Sequence, residues 1–254
     1  MVAKIYQYAG AEDLKAYLDG WASTDPLGAH GVFYDDGIDS QFEQWAGGNE
    51  SGRSDNSVLL EGNFDYPANG GFTGMLDSLD FGTNMTGYPS GPFDITGSDL
   101  KLHVDLGGAS ANSTFNYAVY QLMGTGGTAS AAGLYNYFGS VGTEQHGTTG
   151  DDTQYSFSGN DTFIGDLGND TFVFESNWAT DVITDFGSST GDTDTLDFTG
   201  VAAIVDVNDL VYNYSNWYDS SSVLTISDGT NVVTLTGYVG ADILTLQSNG
   251  QLLA

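Results

Sequence analysis

Between Gly147 and Val173 the chain repeats one nine-residue phrase three times without a break in register. Residues 147–155 read Gly-Thr-Thr-Gly-Asp-Asp-Thr-Gln-Tyr, residues 156–164 Ser-Phe-Ser-Gly-Asn-Asp-Thr-Phe-Ile, and residues 165–173 Gly-Asp-Leu-Gly-Asn-Asp-Thr-Phe-Val. Glycine holds the fourth place, aspartate the sixth and threonine the seventh in every copy. A unit this short cannot bury a hydrophobic face alone, so its copies must stack on one another. The chain before this stretch and the chain after it are patterned differently.

Charge narrows the chemistry. Of 254 residues, 34 are acidic and four are basic (Lys4, Lys15, Arg53 and Lys101), a formal charge of −30. Nucleic acid and anionic membrane surfaces are repelled by such a chain, and divalent cations are attracted. Beyond Lys101 there are 18 acids and no Lys or Arg, so dissolved cations must screen that half. Without cysteine, neither a disulfide framework nor a thiolate zinc site can form. The first eight residues, Met-Val-Ala-Lys-Ile-Tyr-Gln-Tyr, lack the basic start and apolar run of a secretory leader. No apolar run of about 18 residues occurs either, so the expectation is a soluble protein with no membrane insertion and, if exported, no cleaved leader.

Before the repeat, the pattern alternates between helix and strand. Leu14, Tyr17, Leu18 and Trp21 share one helical face within residues 11–23. Residues 27–57 are rich in Gly, Asp, Asn and Ser, and read as a long loop or a loop with edge strands; His30 lies in it. Residues 57–66 alternate, with Val58, Leu60, Phe64 and Tyr66 on one side, and Pro67 ends that strand. A second strand over 72–82 puts Met75, Leu79 and Phe81 together, and 92–106 supplies two more short candidates. Two helical patterns follow, one over Phe115, Ala118, Val119 and Leu122, the other over Leu134, Tyr137, Phe138 and Val141. This first domain, residues 1–143, is therefore α+β with an antiparallel sheet. After the repeats, 181–186 and 191–198 are strand-like, 222–239 forms a hairpin about Asp228-Gly229, and nothing in residues 199–254 has helical period, so that tail reads as β-rich.

Nonapeptides of this kind belong to calcium-binding parallel β-rolls, in which two copies make one turn and loops 18 residues apart share an ion. That rule pairs Asp152 with Asp170 among backbone carbonyls, the hard oxygen environment Ca2+ prefers. Gly150, Gly168 and Asn169 lie in the same loops. Asp161 would need a partner at 174–179, and Phe-Glu-Ser-Asn-Trp-Ala does not supply the motif. Gly168-Asn-Asp-Thr-Phe-Val-Phe174, with Asp181-Val-Ile-Thr-Asp-Phe186 and Asp194-Thr-Leu-Asp-Phe198, resembles the carboxy-terminal RTX region of type I secretion substrates. The resemblance covers residues 147–198 and implies a calcium β-roll with Asp181 and Asp185 in its capping segment. It also implies type I secretion machinery as a partner, folding outside the cell and an export signal in the tail.

For the exported cargo, the usual enzyme signals are missing. There is no His-Glu-x-x-His and no Gly-x-Ser-x-Gly, and His30, His103 and His146 are far apart in sequence, so no enzyme is expected. Tyr17-Leu-Asp-Gly-Trp-Ala-Ser-Thr24, Glu61-Gly-Asn-Phe-Asp-Tyr66, Gly74-Met-Leu-Asp-Ser-Leu-Asp-Phe-Gly82 and Ala118-Val-Tyr-Gln-Leu-Met123 together resemble the HasA-type haemophores, in that family's order over residues 6–141. The resemblance implies a curved antiparallel sheet backed by helices and, as cofactor, ferric haem (protoporphyrin IX) held between His30 and Tyr66. It further implies an outer-membrane haem receptor and host haemoproteins as partners, and an extracellular location. A phenol suits ferric iron, because the hard tyrosinate anion offsets its charge. The family's second histidine, which takes the phenolic proton, has no counterpart in Pro67-Ala-Asn-Gly-Gly71, so either Tyr66 is less fully ionised or Asp65 or His103 takes that role. The competing expectation is a calcium-dependent extracellular structural or adhesive protein that keeps the fold without haem.

Overall fold

The computed structural model describes residues 2–24, 31–38, 40–48, 56–87, 89–124, 128–187, 192–216, 223–236 and 243–254. Within it the chain divides into two units, Met1–Ala11 with Ala16–Ser140, and Glu12–Lys15 with Val141–Ala254.

The first unit is built on six antiparallel strands in the order β1-β6-β5-β4-β3-β2. These are β1 (Ala3–Gln7), β2 (Val32–Tyr34), β3 (Phe42–Gly48), β4 (Asn56–Asp65), β5 (Thr73–Thr83) and β6 (Leu100–Ser110). β1 has no counterpart in the sequence reading, yet its five residues alternate in burial and pair with β6 from Lys4↔Asp105 to Gln7↔Leu102. The two short strands expected over 92–106 are one 11-residue strand, β6, and Asp94 only bridges to Thr86.

A bulge corrects the expected facing of β5. The β4–β5 register passes from Glu61↔Ser78 to Gly62↔Leu76, leaving Asp77 as an extra residue. An extra residue reverses the side on which every later side chain points. Leu76 is consequently buried while Met75, expected beside Leu79 and Phe81, is 46% exposed. In β4, Val58, Leu59 and Leu60 are all buried, so that end of the strand is covered on both faces and simple alternation fails there.

Three helices accompany this sheet. α1 (Leu14–Ser23) buries Leu18, Trp21 and Ala22 in the first unit; the Trp21 indole donates to the Ser57 carbonyl at 3.2 Å and meets Phe81 edge-on at 5.1 Å. α2 (Ser113–Leu122) starts at Asn112, whose side chain accepts from the Thr114 and Phe115 amides, and buries Phe115, Ala118, Val119 and Leu122. α3 (Ala132–Val141) crosses α2 closely: a Cβ on Gly133 would lie 2.8 Å from Ala118 Cα.

In the second unit the chain coils, sending successive strands alternately to two parallel layers. β7 (Thr143–His146), β9 (Thr162–Ile164) and β11 (Thr180–Ile183) stack in one layer. β8 (Thr153–Tyr155), β10 (Thr171–Glu175) and β12 (Thr195–Gly200) stack in the other. The registers Glu144↔Thr162 and Thr153↔Thr171 make each of these turns 18 residues, two nonapeptides. The next steps lengthen to 20 (Thr162↔Val182) and 24 (Thr171↔Thr195). Inside the three-residue strands only the eighth place of the repeat faces inward: Gln154 and Phe163 are fully buried, and Phe172 follows in β10. Phe174 and Phe198 stack at 4.6 Å between the layers, with Trp178 edge-on to both.

β13 (Leu224–Ser227) and β14 (Val232–Leu235) form the expected hairpin and extend the first layer beside β11, and β15 (Leu252–Leu253) extends the second beside β12. The tail is not purely β, however. Residues 207–214 are helical, α4 (Val207–Asp209), capped by the Asp206 side chain, running into a π-turn over Leu210–Tyr214, and α5 (Ile243–Ser248) follows. Each is anchored by few apolar residues (Leu210, Val211; Ile243, Leu246), too short a run for a 3.6-residue period to register. Among the described residues no helix is long and apolar enough to cross a membrane.

Candidate functional site

Tyr66 follows the last residue of β4, and the turn 67–71 folds back over its phenol. Gly70 N–H donates to the Pro67 carbonyl at 2.7 Å with Gly70 and Gly71 both at positive φ, a chain reversal that suits glycine. A Cβ on Gly70 would lie 3.7 Å from the Tyr66 hydroxyl. The Tyr66 ring packs against Phe33 at 5.1 Å and Phe72 at 5.2 Å, yet the residue stays 37% exposed. Among the described residues no hydrogen-bond partner reaches its hydroxyl.

Two hollows open on Tyr66 and share Asn69 and Gly70. One, of about 540 Å3, is walled by Phe72 and by the α2 residues Asn116, Tyr117, Tyr120 and Met123. The other, of about 490 Å3, has Phe33, Pro67 and Ala68 on its far side. Among the described residues neither has a basic lining residue. The α2 wall escaped the sequence reading although the signal was present: the periodicity that buries Phe115, Ala118 and Leu122 turns Tyr117 and Tyr120 outward, 51% and 44% exposed.

Below the hollows lies an aromatic cluster centred on Phe72, whose ring is within 6.3 Å of those of Phe33, Trp45, Phe64, Tyr66 and Phe115. The Asn116 amide grips the Phe72 backbone from α2, Oδ1 accepting from Phe72 N–H at 2.7 Å and Nδ2 donating to Phe72 C=O at 3.1 Å.

His30 lies outside the described residues. His103 is not a partner for Tyr66. It sits on β6 opposite Asp80, its Nδ1 2.5 Å from Asp80 Oδ1, and Asp80 pairs in turn with Leu59. From Leu59 to Tyr66 is seven residues of β4, roughly 20 Å of strand. The hydrogen bond to Asp80, outweighing burial, holds the His103 pKa above the ordinary imidazole value. Asp65 is exposed and adjoins Tyr66 in the chain.

In the coil, the sixth-place aspartates form columns. Asp152 N–H donates to Asp170 Oδ1 at 2.9 Å, and Asp170 N–H to Asp194 Oδ1 at 3.0 Å. In the neighbouring column Asp161 N–H donates to Asp181 Oδ1 at 2.8 Å, so the partner of Asp161 is Asp181, two residues beyond the 18-residue spacing, rather than anything in 174–179. The extra residues are absorbed at Asn177 and Ala179, both at positive φ. Burial pushes these carboxyls up, Asp161 to about 6, Asp170 to about 7 and Asp181 to about 8, with neighbouring carboxylates adding to the last two.

The columns test how each residue suits a calcium ion, which needs six to eight oxygen ligands. Both oxygens of Asp161, Asp181 and Asp185 already accept from N–H or O–H donors. Asn169 likewise bonds Asp151 and the Thr193 amide. Asp152 differs: Oδ2 accepts from Thr148, while Oδ1 is buried without a partner. The Gly150 and Gly165 carbonyls belong to the same stacked loops; a Cβ on Gly168 would lie 2.4 Å from Gly150 O, and one on Gly147 2.6 Å from Gly165 O. Asp152 is therefore the one of these four carboxylates that keeps an oxygen open for a cation. Elsewhere among the described residues the exposed Asp35 and Asp36 and the half-buried Glu43 bring three carboxylates together.

The first unit is thus an antiparallel sheet with helices and an open aromatic site at one strand end, and the second a parallel coil. No protein-family model and no curated protein matches the sequence. Among solved structures the chain is similar to the holo haemophore HasA from Yersinia pestis, with 17% identity and a TM-score of 0.45 over 57% of this chain and 99% of that one. It is similar also to the apo form from the same organism (16% identity, TM-score 0.44, covering 57% and 99%) and to a mutant HasA monomer from Yersinia pseudotuberculosis (16%, 0.44, 57% and 99%).

Proposed function

We propose that the first unit is a haemophore: a secreted binding protein, not an enzyme, that captures extracellular haem for iron acquisition. The observation that carries this reading is Tyr66, an exposed phenol with an open hydroxyl at the junction of two aromatic-walled hollows. Cavities of about 300–1,000 Å3 lined by aromatic and apolar groups suit a flat hydrophobic ligand. Tyr66 would supply an anionic oxygen to ferric iron, and the aromatic walls would exclude water from the ring faces. By the family resemblance His30 is the second ligand, an outer-membrane receptor accepts the haem and host haemoproteins are its source.

The second unit, on the same reading, takes calcium at Asp152 with the loops of Gly150, Gly168 and Asp170, and accompanies export by type I machinery to an extracellular location. Haemin titration tests the central claim. Wild-type protein is expected to give a saturable Soret band with tyrosinate charge-transfer features, and Tyr66→Phe to lose those features. A wild type that shows no saturable spectral change overturns the haem reading.

A further inference from the structure

We propose that Asn116 is the positioning residue of this site: its side-chain amide fixes the turn that aims Tyr66, so ligand affinity depends on a residue that need not touch iron. The inference rests on the haem reading and adds a residue to it.

A turn of two glycines at positive φ has little stiffness of its own, because glycine gives up more conformational freedom on folding than any other residue. Something else must hold residues 67–72. Beyond β4 and β5 themselves, the Asn116 amide does so from α2, presenting an acceptor to Phe72 N–H and a donor to Phe72 C=O. This is the pairing a neighbouring strand would offer, supplied by one side chain. Only one orientation of the amide satisfies both bonds, since its oxygen must face the N–H and its NH2 the carbonyl. The fit leaves no slack, as a Cβ on Gly71 would lie 3.1 Å from Asn116 Nδ2.

From Phe72 the constraint reaches Tyr66 through packing. Phe72 is 3% exposed, its ring is 5.2 Å from that of Tyr66, and both rings contact Phe33. Asn116 also forms part of the wall of the larger hollow, so the clamp and the ligand share a surface. α2 is itself secured at its start by the Asn112 side chain, which accepts from the Thr114 and Phe115 amides and not from the Phe72 backbone.

That separation supplies the control. Full-length wild type, Asn116→Ala, Asn116→Asp and Asn112→Ala are compared by haemin titration, thermal unfolding, and hydrogen exchange at the Phe72 amide without haemin. Asn116→Ala should lose Phe72 protection and raise the haemin dissociation constant about ten-fold, the effect of losing one or two hydrogen bonds. It should also broaden or shift the tyrosinate charge-transfer band. Asn116→Asp keeps the acceptor and should recover the Phe72 protection. Asn112→Ala should lower the melting temperature and leave band and affinity at the wild-type values. The proposal is overturned if Asn116→Ala keeps the wild-type affinity and band, or if Asn112→Ala reproduces its losses at equal destabilisation. Absence of haemin binding by wild type defeats the haem reading and this proposal with it, while retained Phe72 protection in Asn116→Ala defeats the clamp alone.

Discussion

Among single residues, His103 gives the first unit its clearest dependence on pH. Asp80 on β5 faces it, Asp105 and Glu61 contribute negative charge, and the Tyr6 ring on β1 lies 5.7 Å away. These carboxylates raise its folded pKa above the unfolded value near 6.5, so the folded state holds the proton more tightly. The stabilisation is complete below that unfolded value and disappears as pH rises through the higher folded one. Wild type should therefore melt above His103→Gln at pH 6, with the gap closing toward pH 9; a gap independent of pH would show that the ion pair does not form. The strand end at Tyr66 was legible in the sequence because Pro67 stops the alternation there, whereas its role as a ligand came only from the family resemblance. The Phe72 hub was not, because an aromatic at the start of β5 looks like any other until Asn116 and five rings converge on it.

At the scale of elements, glycine decides whether the coil can close. Gly168 has φ +130°, and a Cβ there would meet Gly150 O at 2.4 Å, so two loops 18 residues apart touch through backbone alone. Gly168→Ala should cost the second unit about 1–3 kcal/mol, the penalty of a strained backbone, while leaving the first unit's unfolding transition in place. Denaturant unfolding followed by Trp178 and by the first unit's tryptophans separates the two; equal shifts in both would refute a local effect. The nonapeptide pattern specified the first two 18-residue turns because glycine and aspartate offsets are local. The longer turns to Asp181 and Asp194 were hidden, since an insertion erases the period while the aspartate still finds its column through the fold. The short helices over 207–214 and 243–248 escaped for a related reason: burial against the coil, not a long amphipathic run, makes them helical.

For the whole molecule, charge is the dominant fact. In the second unit Lys15 lies 3.0 Å from Glu175 and over the Tyr155 ring at 4.7 Å, while no Lys or Arg follows Lys101 in the sequence. A carboxylate oxygen left buried and open at Asp152 adds to the demand for a cation. Calcium should raise the melting temperature of the second unit relative to chelator, by an amount that grows with the logarithm of its free concentration above the dissociation constant, and leave the first unit's transition unmoved. Equal melting in chelator and in millimolar calcium would mean that the aspartate columns suffice without metal.

What the sequence determined by itself was whatever depends on near neighbours: the stacked nonapeptides, the helix faces of α1, α2 and α3, the hairpin at Asp228-Gly229, and the strand end that presents Tyr66. Tertiary structure alone decided the rest. The bulge at Asp77 that buries Leu76 in place of Met75, the pairing of β1 with β6, the distance that removes His103 from Tyr66, and the grip of Asn116 on Phe72 all join residues far apart in the chain. Their partners are chosen by packing and by the need to satisfy buried N–H and C=O groups, which no local pattern encodes.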